Sequence, residues 1–284
     1  MRYILALLLL IVSAPALTHG SLREIREGEN VVLRPDRAYI LFRSPRPDGV
    51  VPNSPVFLRI PNEDELNRYR ESRSRAFAEA QPQLLQRYRA ELARGGRSGP
   101  PPSLETFNFT HDGAHNVDFV DIGRPFLRGR PESTFLVETV PGDYVLYGMR
   151  YGNGSGGLHL CMCLGTVGFR AAPGVITDLG YFLSDRVDRP SPLSELRAES
   201  GFGPSSYGML ILAGATVRPV QPTSSMPEAL RSLTVRPAAY RAVGRFVEPR
   251  AAAINRLAPV PGILDYRSGR VIDLATGRDV PDVN

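Results

Sequence analysis

The chain has 284 residues, of which 27 are glycine and 26 are proline, and this high share predicts a protein rich in turns and short strands. A hydrophobic content of 42% is sufficient for a folded core. All 34 basic residues are arginine, so the chain lacks the lysine that phosphate-binding loops, Schiff-base enzymes and kinases require. The net charge of +5 comes from arginines interleaved with acidic residues, which does not predict a nucleic-acid partner.

The N-terminus has the features of an export signal. Arg2 precedes an apolar stretch from Tyr3 to Val12, and small residues follow at Ala14 and Ala16. The apolar stretch is shorter than the ~20 residues that a membrane-spanning helix needs, which disfavours an uncleaved anchor. We therefore predict that residues 1–20 are a signal peptide and that the mature chain is periplasmic or secreted, with no transmembrane span.

A change in hydrophobic period separates two predicted kinds of structure. Residues 30–60 contain three apolar extended runs and predict strands, whereas residues 62–94 lack glycine and repeat apolar residues three or four apart, which predicts an amphipathic helix. Asn62 followed by Glu65 is typical of a helix N-cap with its reciprocal partner. Pro82 is expected to kink or split this helix.

Strands resume after the helix, and two of the connections between them contain Pro-Gly. The run STFLVETV is followed by Pro141-Gly142 and then by YVLYGMRY, and a second pair of strands flanks Pro173-Gly174. Proline followed by glycine suits the centre of a type II turn. The sequence therefore predicts a hairpin at the first of these and a second strand pair joined at the other.

The C-terminal third is less regular. The apolar run from Tyr207 to Val217 predicts a buried strand, and the segment around Arg267-Ser268-Gly269 predicts a terminal hairpin. The fold class is predicted as mainly β, an antiparallel β-sandwich over residues 21–220 with a helical insertion at 62–94. Residues 221–284 are expected to form an irregular C-terminal extension.

Three motifs carry a resemblance: an early AYI strand, the sequence F-x-V-x-x-V-P-G-D-Y-V-L, and the sequence F-R-A-x-P-G-V-I-T-D-L-G. Together they resemble exported bacterial envelope proteins with a transthyretin-like or carboxypeptidase-regulatory-like β-sandwich, over about residues 30–60 and 117–183. The resemblance implies a non-catalytic binding or spacer module, and it implies no active-site residues.

The most distinctive candidate site is His159-Leu-Cys161-Met-Cys163. If the segment is a strand, His159, Cys161 and Cys163 share one face, and an imidazole with two thiols suits copper or zinc. The cysteines could instead be free packing residues, which we favour, or a disulfide across Cα atoms that an extended strand would hold ~6.6 Å apart. We rank packing first, the disulfide second and the metal site third.

A second candidate metal site consists of His111 and His115 with Asp118. Gly113 and the strand pattern that follows predict a loop that enters a strand, so the spacing of the two histidines has no special geometry. Solvated loop histidines are favoured over a metal site.

Two functions therefore remain open. The first is a non-catalytic exported protein, a binding or structural module of the cell envelope, whose partner is an envelope protein or glycan. The alternative is a copper- or zinc-binding protein, or a metal-dependent hydrolase, that uses His159, Cys161 and Cys163 or His111, His115 and Asp118. The two functions make different predictions. Metal binding requires these side chains to converge on one accessible pocket, whereas a non-catalytic module leaves them buried singly or scattered.

Overall fold

The computed structural model describes residues 22–45, 53–95, 99–109, 116–120, 123–129, 132–151, 158–184, 215–221, 224, 226–248 and 253–283. Over these residues one α-helix, α1, spans Glu63–Ala93, and a short 3₁₀ helix spans Glu228–Leu230. The strands, in chain order, are β1 Arg23–Ile25, β2 Ala38–Pro45, β3 Asn53–Arg59, β4 Val117–Phe119, β5 Glu132–Thr139, β6 Gly142–Tyr151, β7 Leu158–Cys161, β8 Thr166–Ala171, β9 Ile176–Ser184, β10 Ala215–Arg218, β11 Val235–Pro237, β12 Arg241–Val243, β13 Ala253–Ile254, β14 Leu264–Arg267, β15 Arg270–Asp273 and β16 Arg278–Asp279. The prediction of a mainly β protein with one helical segment is confirmed.

Two large sheets contain most of these strands. In the first sheet the order is β1-β5-β2-β9-β10, and β11 pairs with β9. In the second the order is β12-β8-β6-β3-β4, β7 pairs with β6, and β13 pairs with β7. A small third sheet has the order β14-β15-β16. Most pairs are antiparallel, as predicted, but β2–β9, β9–β11 and β7–β13 are parallel.

The two large sheets face each other across an apolar core. Phe42 of β2 meets Phe57 of β3 in the opposite sheet, with ring centroids 6.5 Å apart. Phe42 also stacks on Phe135 of β5 at 5.0 Å, and Phe57 contacts the edge of Phe169 of β8 at 5.9 Å. Burying one such side chain contributes roughly 1.5–3 kcal/mol, so this cluster stabilises the face-to-face packing typical of a β-sandwich.

Both Pro-Gly connections pass from one large sheet to the other, so the hairpin predicted at Pro141-Gly142 is wrong, whereas two strands do flank Pro173-Gly174 as predicted but do not pair with each other. β5 and β6 lie in different sheets, as do β8 and β9. Gly142 is the first residue of β6 and lacks the positive φ that a type II turn requires. The Tyr144 hydroxyl closes this connection, because it donates to the Val140 carbonyl at 2.6 Å and lies 2.7 Å from Thr139 Oγ1.

The first sheet contains a buried ion pair. Arg43 of β2 and Asp178 of β9 are each 1% exposed and are joined by two hydrogen bonds of 2.8 and 3.0 Å. Asp178 also accepts a hydrogen bond from the Gly180 N–H at 2.9 Å. The pair joins two parallel strands. Removing one partner would destabilise the fold, because the other charge would stay buried and uncompensated.

The helix is inserted between two neighbouring antiparallel strands, β3 and β4. The Arg59 N–H donates to the Asn116 carbonyl at 2.7 Å, so the chain leaves and re-enters the second sheet at adjacent points. The predicted helical insertion is therefore the long loop of a β-hairpin.

The start of α1 is capped as the sequence predicts. The Asn62 side chain accepts a hydrogen bond from the Glu65 N–H, and the Glu65 carboxylate accepts one from the Asn62 N–H, both at 2.9 Å. The Arg59 guanidinium binds both carboxylate oxygens of Glu65 at 2.9 and 2.6 Å and joins this first turn to β3. Pro82 does not split the helix, which continues to Ala93.

No residue of α1 is buried. Part of its apolar stripe packs on the returning segment 99–109, where the Tyr69 ring lies 5.7 Å from that of Phe109 and the Phe77 ring lies 5.4 Å from that of Phe107. The helix is thus held by its first turn and by its own return segment.

Residues 221–284, expected to be an irregular extension, contribute to both large sheets through β11, β12 and β13. This region also supplies four buried side chains of the main core: Leu257, Val260, Leu264 and Val271. The predicted terminal hairpin is confirmed as β14–β15. Its turn residues Ser268 and Gly269 both have positive φ, 50° and 76°, as a type I′ turn requires.

Two predicted segments fall outside the described residues, the signal peptide at 1–20 and most of the apolar run from Tyr207 to Val217, of which β10 includes only the end, and so do the predicted metal ligands His111 and His115. Within the parts of the chain that the structure describes, no helix combines the length and apolar character needed to cross a membrane.

Candidate functional site

Strand β7 ends at Cys161, and the chain then turns. The Gly165 N–H donates to the Met162 carbonyl at 3.2 Å, so Cys163 lies in a turn instead of on the strand. The Cα atoms of Cys161 and Cys163 are 5.2 Å apart, and the two sulfurs form a disulfide. The condition for a face shared by all three side chains, a strand that runs through Cys163, is therefore not met, and only His159 and Cys161 lie on the strand. The turn brings the cysteines well inside the range of about 4.4–6.8 Å that a disulfide needs.

The interpretation that both cysteines are free packing residues is also corrected. Cys161 and Cys163 are buried, with 0% and 3% exposure, but neither is free. The disulfide closes a loop of only three residues, for which the loss of unfolded-chain entropy contributes about 1.6 kcal/mol, against about 3 kcal/mol for a 15-residue loop. The bond therefore restrains the local turn more than it stabilises the whole fold.

The C-terminal region covers the disulfide through backbone hydrogen bonds. The Phe246 N–H donates to the Cys163 carbonyl at 3.0 Å, and the Asn255 N–H donates to the Cys161 carbonyl at 2.8 Å. The Leu164 N–H donates in turn to the Asn255 carbonyl at 3.0 Å. Two segments remote in sequence thus meet at the turn.

An aromatic stack lies on the neighbouring strand. The Tyr147 ring packs against His159 at 5.4 Å and against Phe246 at 5.3 Å, with interplanar angles of 23° and 14°. The Tyr147 hydroxyl donates to the Glu248 carboxylate, and the Tyr147 carbonyl accepts a hydrogen bond from the Met162 N–H at 2.8 Å. The stack connects β6, β7 and the C-terminal region beside the disulfide.

One polar atom of this site, His159 Nε2, lacks a hydrogen-bond partner among the described residues. This nitrogen is buried. Burial lowers the pKa of His159, so the imidazole is mainly neutral at pH 7. A buried nitrogen without a partner costs free energy, and in native proteins such atoms often mark the place of an ion or a water molecule.

The predicted metal ligands His159, Cys161 and Cys163 lie on one short stretch of chain, but the two sulfurs are bonded to each other. Sulfurs in a disulfide carry no thiolate that could bind a metal. Over the described ranges, no three His, Cys, Asp or Glu side chains form a group that could hold a metal ion. The copper or zinc interpretation therefore stays a prediction, and it concerns the reduced protein.

The second predicted site lies only partly within the described residues. Asp118 is half-buried on β4, opposite Phe57 of β3, whereas His111 and His115 are outside the described ranges. Strands β3 and β6 separate β4 from β7, so Asp118 and His159 occupy different parts of the second sheet. Of the second site, only Asp118 can thus be compared with His159, and the two lie apart in the sheet.

Sequence patterns do not identify Tyr147, Phe246 or Glu248 as members of the site. Tyr147 and Glu248 are 101 positions apart, and no spacing rule connects them. The one available signal is general, because a buried tyrosine usually needs a hydrogen-bond partner.

No protein-family model, curated protein or solved structure matches this chain. The resemblance to transthyretin-like and carboxypeptidase-regulatory-like sandwiches therefore depends on the strand and turn motifs alone and stays a prediction. The basis for a functional assignment is the geometry of the described residues.

Proposed function

We propose that this chain is a non-catalytic exported protein that serves as a binding or structural module of the cell envelope. The features of residues 1–20 support export. The observation that carries the proposed role is α1, a helix of 31 residues of which none is buried. At 1.5 Å per residue this helix is about 46 Å long, which offers an extended surface to a partner.

The C-terminal half of α1 supports a contact surface. Leu85, Tyr88 and Leu92 follow each other at spacings of three and four and therefore lie on one face of the helix. Leu92 is 50% exposed. Grouped apolar side chains on an exposed helix are typical of a site that contacts another molecule, here an envelope protein or glycan.

Co-sedimentation of the purified mature protein with isolated bacterial envelopes tests this role. The variant Tyr88→Ser/Leu92→Ser removes two apolar side chains of the face, and Gln83→Ser/Gln86→Ser is the matched control at exposed polar positions of the same helix. We expect saturable binding of the wild type and the control, and binding weaker by roughly tenfold or more for the apolar variant. Equal binding by the two variants, or no binding by the wild type, would contradict the role.

Export is tested separately by fractionation of a bacterial host that expresses the full chain. We expect the protein in the periplasm or the medium, with residues 1–20 removed, as mass spectrometry of the intact protein would show. Retention in the cytoplasm with an intact N-terminus would contradict export and leave the binding assay as an independent result.

A further inference from the structure

His159 and Cys161 are arranged as neighbours on one face of the second sheet. They are two residues apart on β7, so their side chains project to the same side. Gly148 is the cross-strand partner of Cys161, and a Cβ atom at Gly148 would lie 2.7 Å from His159 Nε2. The imidazole therefore extends over the glycine toward the position of Cys161, and its buried Nε2 has no hydrogen-bond partner among the described residues.

We propose that reduction of the Cys161–Cys163 disulfide converts this group into a Cu(I) site, with the two sulfurs and His159 Nε2 as ligands. Thiolates and imidazole are soft donors that suit Cu(I). Three protein donors fit a cation of low coordination number better than they fit zinc, whose structural sites take four ligands. Because the same sulfurs form the disulfide and the metal site, the oxidised protein cannot bind copper there.

The redox step balances with a dithiol as the reductant. The dithiol transfers two electrons and two protons to the S–S bond, Cys161 and Cys163 become thiols, and the dithiol is oxidised to its own disulfide. Cu(I) then displaces the two thiol protons and binds the sulfurs and the neutral imidazole. No change in the oxidation state of copper is involved.

The two cysteines are buried beside the main apolar cluster and are not members of it. Neither cysteine belongs to the two clusters of apolar side chains that hold the sandwich together, whereas Met162 between them does. Met162 thus anchors the turn in the core while the two sulfurs remain outside that cluster.

Anaerobic competition with the Cu(I) chelator bicinchoninate tests the proposal on the full mature chain, after reduction with a phosphine and in the oxidised form. We expect the reduced protein to withdraw one Cu(I) per chain and the oxidised protein to withdraw none. Cys161→Ser and Cys163→Ser should each abolish binding, and His159→Asn should weaken it by more than the roughly 10- to 100-fold that loss of a hydrogen-bond partner of a ligand costs. Arg150→Gln, which changes the cross-strand neighbour of His159 without removing a donor, is the matched control and should bind normally.

X-ray absorption at the copper edge separates the roles of the ligands. Two sulfur donors and one nitrogen donor are expected for the wild type, and the nitrogen should be absent in His159→Asn. Equal affinity of His159→Asn and wild type, uptake of zinc without uptake of Cu(I), or no uptake by the reduced protein would overturn the proposal. If circular dichroism shows that reduction unfolds the chain, Cu(I) should restore the fold, and failure to restore it would also overturn the proposal.

Discussion

The helical insertion and the C-terminal region differ in how their structure is stabilised. Among the described residues α1 is the longest regular element, and none of its 31 residues is buried. The described parts of 226–283 contain short strands and one 3₁₀ turn, and yet they supply Leu257, Val260 and Leu264 to the core. Helical hydrogen bonds are local, so α1 forms without contacting the core. Short strands exist only where a remote strand pairs with them. In this protein, therefore, the length of a helix or strand does not indicate how much it contributes to the apolar core.

Removal of each region in turn should show the largest difference. Replacing residues 61–114 with a short Gly/Ser turn should leave a chain that unfolds cooperatively, because β3 and β4 then form an ordinary hairpin. Ending the chain at residue 225 should abolish cooperative unfolding, because strands β11–β13 and part of the core are lost. Urea unfolding followed by circular dichroism measures both, and similar stability of the two shortened chains would refute the comparison.

Single leucines in the two regions should reproduce the difference on a smaller scale. Leu264→Ala removes a fully buried core side chain and should lower the free energy of unfolding by about 2–5 kcal/mol. Leu84→Ala on the half-buried stripe of α1 should lower it by less than about 1 kcal/mol. Urea midpoints at constant m-value provide the measurement. A loss at Leu84 equal to that at Leu264 would show that α1 belongs to the cooperative core.

Loss of the helix cap should destabilise α1 alone. Asn62→Ala removes the side-chain acceptor of the Glu65 N–H and should cost about 1 kcal/mol of helix stability. We expect faster amide hydrogen exchange in the first turn of α1 and an unchanged global urea midpoint. Asn67→Ala, at an exposed position inside the helix, is the control, and a comparable increase in exchange there would argue against the cap.

Acidification should produce the smallest and most local effect. The hydrogen bond from the Arg59 guanidinium lowers the pKa of Glu65 below its ordinary value of 4.5. Because the folded-state pKa is the lower one, this stabilisation is complete above about pH 4.5 and is lost as the pH falls through the lowered pKa. Amide exchange in the first turn should therefore accelerate on acidification below pH 4.5 in the wild type. Arg59→Gln should show a weaker dependence, and an unchanged profile in that variant would contradict the assignment.

The candidate site divides in the same way into local and remote features. The shared face of His159 and Cys161 is a property of two residues on one strand, and sequence alone predicts it. The disulfide depends on β7 ending before Cys163, and the contact between Tyr147 and Glu248 joins residues 101 positions apart. The sequence left the disulfide open as one of three alternatives, and it has no pattern that indicates the contact between Tyr147 and Glu248.

The sequence by itself determined the features that depend on residues within about four positions: the β class, the cap at Asn62 and the terminal turn at Ser268-Gly269. Only the tertiary structure decided that both Pro-Gly connections cross between sheets, that Cys161 and Cys163 meet in a turn, and that residues 226–283 complete the sandwich. The physical reason is that hydrophobic burial is non-directional. An apolar pattern shows that a strand is buried, but the identity of its neighbour depends on the whole fold.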